Sequence, residues 1–286
     1  MKTDINKFLI LGYILLLFVN CLEFRSGYIL SLSQLFLGLL AFLPRLNSNN
    51  SWNNNLLLAI EVLYVLSLIS GVYLHYFSLP NHFFLFITIT LVLLISRQPR
   101  HLSYVENNLR WVFIILMGFA TIHKLIEPTF INGDFAGYML MKGSFFHHIL
   151  DSGLFPEIQS SIDANNAILS ELEKTDPALG DTLFLNIKHL PLNFLIKGLT
   201  IFIIVAELLL TLLFIFFPRR KNTLLFLLIF VCSIMLVTVE LEFQSTLLFM
   251  GFVMCPVVFS GLKKAYKYTF ILFALSAILN NFKHLL

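Results

Sequence analysis

Residues 223–239, TLLFLLIFVCSIMLVTV, contain no charged side chain, and eight further stretches of similar length are almost as apolar. These run 8–24, 27–43, 55–75, 82–96, 111–126, 194–217, 244–260 and 268–283. A helix needs about 20 mostly apolar residues to cross a bilayer, and somewhat fewer where the membrane thins. The pattern therefore predicts an all-α, polytopic membrane helix bundle of about nine spans. The segment 82–96 is short and 268–283 ends in Asn280-Asn281, so either can tilt or re-enter. The first segment has a long apolar core and no small-residue cleavage site after it. It is expected to be retained as a span and not removed as a signal peptide.

Composition agrees. Of 286 residues 58% are hydrophobic and 12% charged, against about half and about a quarter in an ordinary soluble domain. This excludes a disulfide scaffold, a disordered chain, a collagen and a typical cytosolic enzyme. With 31 Phe against 13 Gly, close Gly-Gly crossings do not dominate the helix contacts. The net charge of +3 is spread without a basic stripe, so a nucleic-acid partner is not expected. Cys21, Cys232 and Cys255 each lie in an apolar run without metal-ligand spacing and read as small buried hydrophobes.

Loop charges give a topology. Basic residues gather at Lys2/Lys7, Arg45, Arg97/Arg100/Arg110, Arg219/Arg220/Lys221 and Lys263/Lys264/Lys267. Nine spans put all five clusters on one side, and the positive-inside rule makes that side cytoplasmic. The Glu23–Arg25 turn, the His75–His82 turn, residues 127–193, the Glu240–Glu242 turn and the C-terminus fall outside. The expected localisation is a multi-pass protein of the cell inner membrane with a cytoplasmic N-terminus. Its expected divisions are N-terminal transmembrane helices (1–126), an outer amphipathic cap (127–193) and C-terminal transmembrane helices (194–286).

The outer segment carries nine acidic residues against three lysines. Phe135, Tyr138, Met139, Leu140, Met141, Phe145 and Phe146 form an amphipathic run after the turn Asn132-Gly133-Asp134. A second helical pattern, Ile162–Leu172, sets Ile168, Leu169 and Leu172 on one side. Pro177 and Gly180 punctuate it, and Leu183–Leu192 leads back to the membrane. The segment reads equally as a cap closing a site beneath it or as a structured connector.

Ionisable residues at membrane depth are costly and so mark candidate sites. They are Glu61, His123, Lys124 and Glu207, with Glu240 and Glu242 at a boundary. Glu207 lies mid-span and must be neutral, paired or facing a polar cavity. His123, Lys124 and Glu127 share one helical neighbourhood at the end of 111–126. A desolvated lysine can act as a base, although a close carboxylate would hold it charged. The alternative is that Lys124 snorkels to the interface and His123 packs.

The string from Arg110 and Gly118 to His123-Lys124-Leu125, a Gly-Asp turn with an amphipathic helix, Ala206-Glu207 and Arg219-Arg220 together resemble the DoxX-like superfamily of membrane bundles. More narrowly they resemble its HTTM branch, which includes the membrane domain of vitamin K-dependent gamma-carboxylase. The likeness covers roughly residues 105–260. In that family a Lys-Leu pair ends a helix at the lumenal face and an acidic-Gly-Tyr segment follows. Here these are Lys124-Leu125, Gly133-Asp134 and Gly137-Tyr138. The resemblance implies that Lys124 is the base of a quinone-type reaction. Val237–Phe243 departs from the family by lacking its histidine, so Glu240 or Glu242 would have to stand in. No β-rich lumenal region follows the last span, and protein glutamate carboxylation is not expected.

Two functions follow as expectations. One is a membrane-embedded enzyme, with Lys124 as base, His123 positioning it, and Glu207 or Glu240 orienting a quinone-like or lipid head group. Glu242 and Tyr138 would contact that ligand. The other is a non-catalytic accessory subunit of a membrane redox or maturation complex, bound to a membrane protein partner. Transport is weaker, because no inverted repeat pairs the halves. The sequence names no cofactor, and it implies no metal.

Overall fold

The computed structural model describes residues 2–23, 28–46, 54–75, 81–96, 102–172, 190–238 and 240–283. The Glu23–Arg25 and His75–His82 turns lie largely outside these residues, as do Arg97, Arg100 and the stretch from Pro177 through His189. Every regular element among the described residues is helical. All nine apolar segments form helices: α1 (Lys2–Glu23), α2 (Tyr28–Phe42), α3 (Asn54–His75), α4 (Asn81–Ile95), α5 (Leu102–Ile126), α10 (Leu190–Phe216), α11 (Lys221–Val237), α12 (Leu241–Met254) and α13 (Ser260–Lys283). Between α5 and α10 lie α6 (Pro128–Ile131), α7 (Asp134–Met141), α8 (His147–Leu150) and α9 (Pro156–Leu172). A 3₁₀ turn, Leu43–Leu46, extends α2.

Three helices are long and apolar enough to cross a membrane: Asn54–Leu74, Leu102–Ile126 and Phe194–Phe216. The apolar parts of α1, α2, α4, α11 and α12 are shorter. Residues 244–260 do not make one helix, because α12 ends at Met254. Cys255 turns extended (φ −75°, ψ 117°) before Pro256, and a residue before proline is pushed out of the helical region. Conversely, α5 begins at Leu102 and not at 111. Its polar first turns are helical without being apolar, and hydropathy does not register them.

The described chain forms two compact units. The first comprises residues 1–113, 219–228 and 240–286. Its centre is α12, where every residue except Phe243 is buried. A helix buried all round belongs in the middle of a bundle, and α1, α4 and α13 pack against it. Rings interlock there: Phe8 lies 4.4 Å from Phe252, and Phe249 lies 5.7 Å from Phe270. The hydroxyl of Tyr13 (α1) bonds those of Tyr64 (α3) at 2.8 Å and Thr90 (α4) at 2.6 Å, so three helices meet through paired polar groups. Leu63, Leu66, Ile69 and Leu74 on α3 stay exposed. Bare apolar faces of this kind suit lipid and not water.

The second unit comprises residues 114–218 and 229–239. Here α6–α9 fold over the start of α10, around Ala136, Leu140, Met141, Phe145, Leu150, Ile162 and Ile196. The expected turn at Asn132-Gly133-Asp134 is present. Gly133 takes φ 83° and caps α7, a conformation glycine adopts without a Cβ penalty. A Cβ at Gly133 would also press on Lys197 Cα at 3.2 Å, so α10 passes close by. The second cap helix begins earlier than expected, at Pro156, with proline in its first turn. Ile168 is exposed, while the side chains of Leu169 and Leu172 are outside the described set. Phe146 adopts φ 58°, and its N–H donates to the carbonyl of Val237 at 2.8 Å. That bond satisfies one of the unpaired carbonyls at the end of α11 and fastens the cap to it.

Candidate functional site

Lys124 is in the last turn of α5, where the helix dipole favours a cation. Its Nζ donates to both carboxylate oxygens of Glu207 on α10, at 2.5 and 2.7 Å. The two side chains are 20% and 10% exposed. The length of α10 brings them level. Glu207 lies seventeen residues beyond Leu190, about 25 Å along the axis. The first turns of α10 belong to the cap core through Ile196, and the deeper Glu207 therefore meets the end of α5.

Neighbouring hydroxyls do not join the pair. Thr211 donates to the carbonyl of Glu207 at 2.9 Å, and Thr121 to that of Met117 at 2.8 Å, each within its own helix. Glu127, the acid nearest in sequence, does not hold the lysine. It leaves the helix before Pro128 with ψ 111°, and its carboxylate accepts from the Thr129 hydroxyl at 3.2 Å. His123 is exposed, and its ring lies 5.7 Å from Phe130. A chain of rings continues through Phe135 to Phe145, so the imidazole leans on the cap. Tyr138 is 41% exposed, while Ala136, Gly137, Leu140 and Met141 of the same helix are buried.

Glu240 and Glu242 belong to the other compact unit. Glu240 is exposed and precedes α12 without a side-chain capping bond. Glu242 is buried, and its Oε1 accepts from Asn281 Nδ2 at 2.9 Å. Asn281 reads in the sequence as the polar end of a weak last span, and the structure makes it the partner of Glu242. The signal was available: a buried amide and a buried carboxylate at facing helix ends satisfy each other. Similarly, Glu61 pairs with Arg45 at 2.5 Å, a partner the reading did not name.

Chemically, the lysine–glutamate pair is a neutral unit in a low-dielectric setting. As paired, Lys124 Nζ donates to Glu207, and the two side chains form one hydrogen-bonded unit. An ammonium has three N–H bonds. Two face Glu207, and the third is available to an acceptor. A cavity of about 150 Å³ in the cap, lined by Lys142, Asp151, Gln159, Ile162 and others, is below the roughly 300 Å³ at which ligand pockets begin. Among the described residues no group of His, Cys, Asp and Glu is arranged to hold a metal. Comparison with protein-family models, curated proteins and solved structures finds no significant match.

Proposed function

We propose that the chain is a multispanning membrane protein of the DoxX/HTTM type that binds a quinone-like or lipid head group on its outer side, with Lys124 as hydrogen-bond donor and Glu207 as its ion-pair partner. The observation that carries this reading is the Lys124–Glu207 pair itself. Ionisable groups at membrane depth are costly, which supports polar recognition at this partly desolvated pair. Leu125 and Leu208, next in sequence to the pair, are exposed. An amphiphile therefore has apolar surface for its tail beside a donor for its head. Binding and orientation are assigned to this site, and turnover is not.

The reading includes nine spans, with the N-terminus and all five basic clusters in the cytoplasm and the cap outside. Of the six other segments, α1, α2, α4, α11 and α12 have short apolar parts and cross where the bilayer thins and flanking residues snorkel, and α13 crosses as a 24-residue helix. Reporter fusions after Lys142 and after Lys264 test this topology. Opposite-side signals support it, and same-side signals overturn it.

The ligand is tested on the full chain purified in mild detergent, with bound small molecules extracted and identified by mass spectrometry. A stoichiometric quinone or lipid is expected from the wild type and from Lys124→Arg. Recovery should fall at least about tenfold in Lys124→Met, since a charge-assisted hydrogen bond contributes roughly 1.5–3 kcal/mol. Equal recovery from a folded Lys124→Met protein removes the site.

A further inference from the structure

The Lys263 cluster at the start of α13 is not absorbed by this function. Lys263 is spent on structure: its Nζ donates to the Cys255 carbonyl at 2.6 Å and sits 4.7 Å from the Phe252 ring. Lys264, one residue on, is exposed. Lys267, one turn further, holds its Nζ 4.9 Å from the ring of Phe8 on α1. Phe8 follows Lys7, which is also exposed. Within the first unit α1 and α13 pack together, so that Lys267 meets Phe8, with Lys264 one turn before it on α13 and Lys7 one residue before Phe8 on α1. Among the described residues no carboxylate pairs with Lys7, Lys264 or Lys267. The first turn of α13 carries no acid either, although a helix start favours negative charge.

We propose that Lys7, Lys264 and Lys267 form a binding site for the phosphodiester head group of an anionic phospholipid. Placing that lipid in the cytoplasmic leaflet rests on the topology proposed above. The charge cluster itself does not. Unpaired cations beside an aromatic ring are what an anionic interface attracts. Each lysine near such a surface strengthens binding about fivefold, and three together about a hundredfold.

The test uses the full chain in detergent and follows its thermal midpoint with phosphatidylglycerol, with phosphatidylcholine, or with inorganic phosphate at equal concentration. Phosphatidylglycerol should raise the midpoint and bind about a hundredfold more tightly to the wild type than to the triple variant Lys7→Gln/Lys264→Gln/Lys267→Gln. The triple arginine variant should retain the preference, and so should Lys142→Gln in the cap. The proposal is overturned if phosphatidylcholine acts equally, if phosphate alone reproduces the shift, or if the folded glutamine variant keeps full affinity. Ligand recovery at Lys124 is unaffected by these substitutions, so the two sites fail separately.

Discussion

The ammonium of Lys124 lies 2.5 and 2.7 Å from the two carboxylate oxygens of Glu207, a residue 83 positions further along the chain. An ion pair between α5 and α10 joins the end of one helix to the middle of another. A carboxylate at this distance stabilises the ammonium by more than an isolated surface pair can.

Removing one partner strands the other. Lys124→Met leaves a carboxylate that is 10% exposed, and Glu207→Leu leaves an ammonium that is 20% exposed. Each should destabilise the protein by about 3 kcal/mol, the low end of the range for broken buried pairs, because part of the lysine is open. The double variant should recover most of that loss. Denaturation of the four proteins in one detergent measures the coupling. Additive losses would mean that the two charges do not share a free energy.

Arg45 is fixed from two directions. It donates to Glu61 at 2.5 Å and to the Leu93 carbonyl at 3.1 Å, and its guanidinium lies 5.1 Å from the ring of Phe42. It thereby ties the turn after α2 to α3 and α4. A lysine cannot reproduce a planar fork that reaches two acceptors. Arg45→Lys should cost about 2 kcal/mol despite keeping the charge. A thermal midpoint equal to the wild type would show that only the charge matters there.

The helices themselves were legible in the sequence, and among the described residues each of the nine apolar runs contributes a helix. A run of apolar residues in this length range has few ways to satisfy its backbone in lipid. Their ends were less legible. Helix α5 starts among polar residues and α12 stops at the residue before Pro256, and neither event changes hydropathy where it happens. Lys124 and Glu207 were both singled out by depth and expected to face one hollow, but their direct contact was not legible. It depends on the first turns of α10 being occupied by the cap, which is a long-range packing fact. The nearer acid, Glu127, was the local expectation and is diverted by the proline after it. Glu240 and Glu242 stood out as acids at a boundary, yet they fall in the unit that does not contain Lys124.

Not every ion pair matters. Arg219 Nε contacts Glu106 Oε1 at 3.0 Å, with the arginine side chain 69% exposed. Exposed pairs contribute little, since water and salt compete for both charges. Glu106→Gln should change stability by less than about 0.5 kcal/mol. The same denaturation assay provides the comparison, and a loss as large as that of Arg45→Lys would contradict the ranking by exposure.

Gly251 on α12 faces the ring of Tyr266 on α13, and a Cβ there would overlap that ring. Tyr266 is fully buried, and its hydroxyl donates to the Leu224 carbonyl at 2.6 Å. The ring cannot swing away without giving up that bond, so the clash must be absorbed by separating two helices of the first unit. Gly251→Ala should therefore cost about 2–3 kcal/mol, as expected for overpacking a filled core. Shortening the opposing side chain creates room. In a Tyr266→Leu background the same alanine should cost less than half as much, although Tyr266→Leu itself is destabilising. Thermal midpoints of the two singles and the double give the interaction. If alanine at 251 is equally harmful with and without the tyrosine, the ring is not the obstacle and the α12–α13 contact is packed differently.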